Sequence, residues 1–255
     1  MTQKIIAVVN QKGGVGKTTT TINVAAQLAE SKPGQRVLLL DLDPQGNATS
    51  GVGIPKNPSM SNIYDVLRGD ATLAEVVQES HVAQLFVIPS DSNLAGSEVE
   101  LVNRDKREFV LSQAVAEVQY EYIIIDCPPS LGLLTINALT AANHILIPVQ
   151  AEYYALEGLS QLLNTITAVR ESTNPQANLL GVVLTMFDKR NSLSDQVASE
   201  VKNYFGDYLF KTVIPRNVRL AEAPSYGQTI FEHDRWSKGS RAYKALAKEV
   251  RQRLG

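Results

Sequence analysis

Seven short runs of apolar residues recur along the chain, separated by longer stretches whose apolar residues have helical spacing. The runs are rich in β-branched residues and do not alternate with polar ones, as is typical of strands buried on both faces of a sheet. They lie at residues 5–9, 37–40, 85–88, 122–125, 144–149, 179–184 and 208–214. The main helical patterns lie at residues 18–31, 98–118, 156–171 and 192–204. This order predicts an α/β protein with a doubly wound, mostly parallel sheet, helices on both faces and its chemistry at the carboxyl ends of the strands.

The segment after the first run is rich in glycine and leads into a helical pattern. Its backbone N–H groups and the helix N-terminus can therefore converge on one small cavity suited to phosphate. Lys17 can reach the β and γ oxygens of a nucleotide, and the Thr18 hydroxyl can hold Mg²⁺. The usual phosphate-loop pattern has glycine where this chain has Gln11, and the following Lys12, which alone would be an ordinary solvated lysine, is an additional cation. The predicted nucleotide-binding residues here are Lys12, Gly13, Gly14, Val15, Gly16, Lys17, Thr18 and Thr19.

Carboxylates follow two other predicted strands. Asp41 and Asp43 come after the run at residues 37–40, and Asp126 follows the run at residues 122–125. Residues two apart at the end of a strand can face the same cleft. Near a bound nucleotide, such carboxylates hold Mg²⁺ or position the attacking water. The alternative for each of them is a structural role, capping a helix or tying a loop.

Length and composition favour one compact domain over residues 1–255, because a chain of 255 residues that is 44% hydrophobic can bury a large core. The single cysteine, Cys127, excludes an internal disulfide and favours a reducing compartment. The first apolar run leads directly into the phosphate loop, and no stretch approaches the ~20 apolar residues needed to cross a bilayer. We therefore expect a soluble, cytoplasmic protein without a membrane partner.

Positive charge is concentrated near the end of the chain. The formal net charge is −2, yet residues 235–255 carry seven Lys or Arg against one Glu, which gives this stretch +6 and the rest −8. With helical spacing, one face is basic and another apolar, the latter sized for packing on the sheet rather than for a membrane surface. Trp236 and the three histidines lack metal-ligand spacing and are expected to be packing or surface residues. The basic face suits nucleic acid phosphates, with a solvated helix as the alternative, and comprises Arg241, Lys244, Lys248 and Arg251.

Further motifs follow the predicted strands. DLDPQGN begins at Asp41, DCPPS begins at Asp126, and PRNVRL and EAPS lie at residues 215–220 and 222–225. Together with the loop at residues 10–19, these motifs resemble the deviant Walker A ATPases and, within them, the ParA/Soj partition proteins. The resemblance extends over nearly the whole chain. It implies a P-loop NTPase fold and an ATP hydrolase that uses ATP and Mg²⁺.

The resemblance also implies roles for the polar residues. Asp43 orients or activates the attacking water, Asp126 is the Walker B aspartate near Mg²⁺, and Asp41 supports the metal shell. Lys17 and Lys12 supply positive charge where the γ-phosphate oxygens become more negative during hydrolysis. In the family this signature lysine reaches into the partner's site, so an ATP-dependent homodimer is implied. The residues alone leave open that Lys12 serves its own site.

The base-binding segments are less specific. The resemblance points to Met186 and to Pro215, Arg216 and Asn217 as the adenine side of the site. The guanine motif Asn-Lys-X-Asp is absent from residues 185–188, which favours ATP over GTP. The alternative is that Pro215 only ends a strand.

For partners, the resemblance places nonspecific contacts to double-stranded DNA at Arg190 and Arg219, beside the basic face near the end of the chain. It implies a ParB-like centromere-binding protein that stimulates hydrolysis, and a role in chromosome or plasmid partition on the nucleoid. The alternatives are a positioning ATPase for protein cargo, a membrane-associated MinD-like ATPase and a polymer-forming structural ATPase. Because the phosphate loop begins by residue 11, we expect no additional N-terminal DNA-binding domain.

Overall fold

The computed structural model describes residues 3–57, 59–152 and 157–255, and within them it contains a seven-stranded sheet with helices on both faces. The strands are β1 Lys4–Val8, β2 Val37–Asp41, β3 Gln78–Glu79, β4 Leu85–Ile88, β5 Tyr122–Asp126, β6 His144–Gln150 and β7 Asn178–Thr185. The helices are α1 Lys17–Ala29, α2 Asn47–Gly51, α3 Ile63–Arg68, α4 Leu73–Val76, α5 Leu94–Leu101, α6 Val110–Ala116, α7 Leu133–Ala141, α8 Glu157–Ser172, α9 Ser192–Phe205, α10 Val218–Glu222, α11 Ile230–His233 and α12 Lys238–Leu254. Short 3-10 turns lie at Arg107–Phe109, Gly206–Tyr208 and Ala223–Tyr226.

The strand order is β3-β4-β2-β5-β1-β6-β7, and only the two-residue β3 is antiparallel to its neighbour. This arrangement confirms the predicted doubly wound, mostly parallel sheet. β5 lies between β1 and β2, and in this register Asp126 is opposite both Val8 and Asp41. The phosphate loop and the two carboxylate motifs therefore leave the sheet side by side at its carboxyl edge.

The buried strands supply two separate cores. Successive residues of a strand point to opposite faces, so Leu38 and Leu40 join one core while Val37 and Leu39 join the other. Helices α3 to α9 pack on the first face, and α1, α2, α10, α11 and α12 pack on the second. Continuous apolar runs in the sequence reflect this double coverage.

The strand predicted at residues 208–214 is wrong. Instead of a strand, this segment has one isolated bridge, between Leu209 and Val182, and two separate backbone hydrogen bonds, from the N–H groups of Phe210 and Ile214 to the carbonyls of Val182 and Leu184 in β7. Its middle cannot continue the ladder, because the N–H groups of Lys211 and Thr212 donate to the Glu249 carboxylate of α12 at 2.9 and 3.0 Å. Phe210 and Ile214 are buried, Leu209 and Val213 are half-buried, and this partial burial accounts for the strand-like pattern.

The single helix predicted at residues 98–118 is also wrong. It is divided into α5 and α6, and between them Lys106 adopts a left-handed backbone with φ of 54°, which a helix cannot contain. The side-chain amide of Asn137 in α7 fixes the start of α6. Its oxygen accepts from the Leu111 N–H, and its nitrogen donates to the Arg107 carbonyl. The other three predicted helices are present as α1, α8 and α9. Leu156, the predicted first residue of the third, lies outside the described residues.

Candidate nucleotide site

The phosphate loop runs from the end of β1 to the start of α1. Gly14 and Gly16 have left-handed backbones, with φ of 75° and 84°. A Cβ added at Gly13 or Gly14 would meet no atom within 4 Å, so the space beside both residues is open. The Thr185 hydroxyl at the end of β7 donates to the Val15 carbonyl at 2.8 Å and fixes the loop from behind. The result is an open cradle at a helix N-terminus, which fits a phosphate group.

Lys17 lies in this cradle with only 7% of its surface exposed. Its ammonium group donates to the Lys12 carbonyl at 3.1 Å, which directs the side chain along the loop. Burial lowers the pKa of Lys17, and the negative charges of Asp126, Cys127 and Asp43 oppose that shift. A phosphate at the loop would replace lost hydration with a direct counter-charge.

Asp126 is fully buried at the end of β5 and is held by two hydroxyls of α1. Thr18 Oγ1 donates to Asp126 Oδ2 at 2.7 Å, and Thr21 Oγ1 donates to Oδ1 at 3.0 Å. Burial, then the nearby Asp41 carboxylate, raises the pKa of Asp126 to about 8. A divalent cation would displace the proton that Asp126 retains and would pair with the resulting carboxylate, and the adjacent Thr18 and Asp126 oxygens are ligands of the kind Mg²⁺ takes. The residues predicted to hold Mg²⁺ at this point therefore fit that ion.

Asp41 and Asp43 differ in their surroundings. Asp41 is fully buried, and Oδ2 accepts from both the N–H and the hydroxyl of Thr49 at 2.7 Å, while Oδ1 accepts from the Asp43 N–H. Burial raises the pKa of Asp41 to about 6. These hydrogen bonds match the structural alternative considered for Asp41, in which its carboxylate ties a loop. They fix the segment that carries Asp43. The Asp43 carboxylate accepts only the Gln45 N–H in the described structure, which leaves its second oxygen available for water.

A cavity of about 330 Å³ lies on the other side of the phosphate loop. Met186 has a left-handed backbone with φ of 51°, which turns the chain at the mouth of this cavity. Arg216 N–H donates to the Phe187 carbonyl, so the two predicted adenine segments are bonded to each other. The cavity is lined by Gly16, Thr19, Met186, Pro215, Arg216 and Asn217, among others. All four residues predicted on the adenine side therefore lie together beside the loop.

Lys12 is not among the described residues that line this cavity. Its backbone N–H donates to the Asn10 side chain, and its ammonium group lies 3.4 Å from Glu152. Arg216 approaches the other oxygen of the same carboxylate at 3.9 Å. Lys12 is 42% exposed, so this pair is a weak surface contact that another negative group can replace.

The predicted DNA residues form two groups. Arg190 makes a two-pronged contact with Asp188, which lowers the pKa of that carboxyl to about 2, and Arg219 pairs with Glu222 at 2.8 Å. Both lie on segments that follow the adenine side of the site. On α12, the apolar face joins the core as predicted. The other four predicted DNA residues are exposed along the outer face of α12: Arg241, Lys244, Lys248 and Arg251.

Three functional contacts were not predicted. Glu152 contacts Lys12 and Thr21 contacts Asp126, in both cases across more than 100 residues of sequence, and Thr49 contacts Asp41 only 8 residues away. The position of Thr21 near the site could have been predicted, because it lies four residues after Lys17 on the same face of the predicted helix. In the structure its hydroxyl also lies within hydrogen-bond distance of the Lys17 carbonyl. The position of Glu152 could not have been predicted in this way, since 140 residues separate it from Lys12.

Comparisons with known proteins give the family of this chain. The AAA domain family matches residues 3–179. The chain is 57% identical to the sporulation initiation inhibitor protein Soj of Bacillus subtilis, over 97% of this chain and 98% of that protein. It is 51% identical to the chromosome partitioning protein ParA of Myxococcus xanthus, over 98% and 88%. Crystal structures of cobyrinic acid a,c-diamide synthase from Mycobacterium smegmatis, with ADP or an ATP analogue and magnesium, are 36% identical with a TM-score of 0.87, covering 99% and 96% of the two chains.

Within the described part of the chain, no helix combines the length and apolar character that crossing a membrane requires.

Proposed function

Because this chain belongs to the ParA/Soj family of deviant Walker A ATPases, we propose that it is a partition ATPase whose Mg²⁺·ATP dimer binds DNA nonspecifically and leaves it after hydrolysis. The family, the P-loop fold, the ATPase class and the cofactors ATP and Mg²⁺ expected from the motifs are confirmed. The DNA, the dimer, the stimulating partner and the individual residue roles belong to the proposal.

In the nucleotide site, the phosphate loop and Lys17 bind the phosphates while Thr18 and Asp126 hold Mg²⁺. Mg²⁺ supplies charge neutralisation on the phosphate oxygens. Asp43 orients the attacking water with its unpaired oxygen. Asp41 supports the metal shell indirectly, because it fixes the loop that carries Asp43. Adenine occupies the cavity lined by Met186, Pro215, Arg216 and Asn217.

One observation carries the link between nucleotide and DNA. The adenine cavity is lined by Val218, Leu220 and Ala221 of α10, the same five-residue helix that carries Arg219. A nucleotide in the cavity therefore contacts the element that presents a predicted DNA residue. Occupancy of the site can change the position of Arg219 and its pairing with Glu222, which gives a physical route from ATP to DNA affinity.

Lys12 acts in trans in this proposal. In one chain its ammonium group pairs with Glu152 and Lys12 is not among the described residues that line the adenine cavity, and the pair is exposed enough to open at low cost. In a dimer, the γ-phosphate of the partner's ATP is a stronger negative group than Glu152. ATP would join two subunits, doubling the basic surface, and its hydrolysis would remove the group that Lys12 binds.

The proposed setting is the cytoplasm, with the dimer on the nucleoid and a ParB-like protein stimulating hydrolysis. Two copies of the basic surface contacting ~6 phosphates would give strong salt dependence and little sequence preference. A single subunit would bind weakly, so dimerisation acts as the switch. The chain acts as one domain over residues 1–255 in this proposal.

A mixing experiment tests the shared active site. Lys12→Ala and Asp43→Ala proteins are each expected to hydrolyse ATP at least about 10²-fold more slowly than the unmodified protein. When the two are mixed, a dimer with one chain of each kind has one complete site if Lys12 acts in trans. Turnover should then recover to about one quarter of the unmodified rate, since half of randomly formed dimers are mixed and each has one working site of two.

The controls separate the alternatives. Mixing Lys12→Ala with Lys17→Ala also restores one complete site and should recover turnover, whereas either protein mixed with itself should not. A mixture that stays inactive would place Lys12 in its own site and remove the sandwich dimer. Turnover that does not rise on adding random-sequence duplex together with a ParB-like protein would favour a positioning ATPase for another cargo.

A further inference from the structure

Three large apolar side chains are exposed close to Arg219. Val218, Tyr226 and Trp236 have 70%, 69% and 75% of their surfaces exposed. Exposed apolar residues scattered singly over a protein need no explanation, but grouped ones mark interaction sites. The sequence left Trp236 as a packing or surface residue, and its exposure now removes the packing role.

Hydrogen bonds and ion pairs join these residues into one surface. Asp234 connects Arg219 with the loop that carries Trp236. Its Oδ2 lies 3.7 Å from Arg219 Nε, and its Oδ1 accepts the Trp236 backbone N–H at 3.2 Å. The Tyr226 ring stacks on the ring of His233, the residue before Asp234, with centroids 5.1 Å apart. Arg219 and Tyr226 therefore contact, through Asp234 and His233, the start of the short loop that carries Trp236 between α11 and α12.

Cations accompany the aromatic rings. The Arg235 guanidinium lies over the Trp236 indole, 5.0 Å from the ring centroid. Lys238, the first residue of α12, lies one turn before Arg241 and so begins the basic face of that helix. Among the described residues, no carboxylate lies within salt-bridge distance of Arg235, Lys238 or Arg241, whereas Arg219 is paired. The charged groups beside Trp236 are thus available to an external anion.

We propose that Arg219, Tyr226, Arg235, Trp236 and Lys238, here called the Trp236 patch, form a second contact to the backbone of double-stranded DNA, continuous with the basic face of α12. A guanidinium stacked on indole keeps its N–H donors at the edge of the ring, where they can bind phosphate oxygens. The indole N–H is a further donor for phosphate, and the ring covers the sugar beside it.

The proposal rests on the DNA binding of the proposed function and assigns additional residues to it. Unpaired cations favour a polyanion, and their continuation along α12, a helix of 17 residues, favours a long and regular one. An acidic peptide would meet the same cations but is not required to follow α12. Duplex DNA presents phosphates at regular spacing over that length.

Trp236 is the only tryptophan in the chain, so all tryptophan emission of the protein reports on the patch. The full chain is loaded with Mg²⁺ and a non-hydrolysable ATP analogue and titrated with a random-sequence duplex. Tryptophan emission and the anisotropy of a labelled duplex are measured in parallel. We expect emission to change with the same half-saturation as anisotropy.

Variants give the energetic test. Trp236→Ala should weaken duplex binding about 2- to 5-fold, the range of an exposed cation–π contact. Arg235→Ala should reduce the slope of log affinity against log salt by about 1, because one phosphate contact is lost. Arg170→Ala removes one exposed arginine from α8 on the opposite face of the sheet, and Tyr204→Ala removes an exposed aromatic ring from α9; both should leave binding unchanged.

The outcomes separate this inference from the function on which it rests. Duplex binding with unchanged tryptophan emission, and with Trp236→Ala as tight as the unmodified protein, overturns the Trp236 patch and leaves the DNA carrier intact. Absence of duplex binding in every nucleotide state overturns both. Emission that responds to polyglutamate and not to the duplex overturns the DNA contact and assigns the patch to an acidic protein.

Discussion

Replacing Asp126 with asparagine should stabilise the nucleotide-free protein, and the gain should grow as pH rises. Asp126 has no exposed surface, and its nearest acidic neighbour is Asp41, opposite it on β2. Burial and this neighbour raise its pKa to about 8, well above the ordinary value of 3.8. The folded protein therefore holds a proton that the unfolded chain releases at neutral pH. Asparagine has similar shape, accepts from Thr18 or Thr21 and never ionises.

The sign and size follow from proton linkage. For a carboxyl whose folded pKa is raised, the stabilising contribution is complete below the unfolded pKa and is lost as pH rises through the folded pKa. Between pH 6 and pH 7 the folded state binds about one proton more at this site, so stability falls by about 1.4 kcal/mol per pH unit. The slope becomes smaller toward pH 8, where the folded state itself begins to release the proton. The free energy of unfolding of Asp126→Asn should thus gain about 2 kcal/mol relative to the unmodified protein between pH 6 and pH 8.

Urea unfolding followed by circular dichroism, at pH 6, 7 and 8 with a metal chelator, measures this difference. Asp195→Asn, which neutralises an exposed carboxylate on α9, is the matched control and should keep the pH dependence of the unmodified protein. Parallel curves for Asp126→Asn and the unmodified protein would refute the reasoning, because Asp126 would then be ionised at a normal pKa. The same variant should lose Mg²⁺-dependent ATP hydrolysis, since a neutral amide is a poor Mg²⁺ ligand.

Three further predictions follow from single contacts. Asp43→Ala should retain nucleotide binding while turnover falls at least about 10²-fold, and weaker nucleotide binding would contradict its assignment to water. Gly46→Ala should lower the free energy of unfolding by about 1–3 kcal/mol in urea titrations, since φ is 58° and a Cβ would lie 2.6 Å from the Ser90 carbonyl oxygen; an unchanged midpoint would contradict this. Tyr243→Phe removes the 3.0 Å hydrogen bond between Tyr243 of α12 and Thr20 of α1, and should lower the free energy of unfolding by about 1 kcal/mol in the same assay. If this bond is purely structural, the variant should not weaken duplex affinity more than ATP affinity, and the opposite result would contradict that role.

The fold was largely predictable because its strands are covered on both faces. Six of the seven apolar runs are strands, and each supplies residues to two cores, which is what removes polar positions from their sequences. The run at residues 208–214 is also mostly apolar, but the backbone N–H groups in its middle donate to Glu249 of α12 rather than to a neighbouring strand. The pattern of apolar residues predicts burial, but it cannot predict hydrogen bonds to a carboxylate that is distant in sequence.

The site was predictable where chemistry is local in sequence. The loop from Gly13 to Thr18 is one continuous motif, so its geometry follows from a few residues. The distinction between Asp41 and Asp43 required the structure, because only the contact with Thr49 shows that Asp41 has its oxygens occupied. The exposure of Trp236 was likewise out of reach, since one aromatic residue between two helices fits burial and exposure equally.

The most direct test of the DNA carrier is retention of the protein on a random-sequence duplex with ATP, with ADP and without nucleotide, across a salt series. We predict retention that requires ATP, falls steeply with salt, is lost in Lys12→Ala and Arg219→Ala, and persists in Arg170→Ala. Retention that is the same in all three nucleotide states, or absent from all of them, would contradict a DNA affinity switched by ATP.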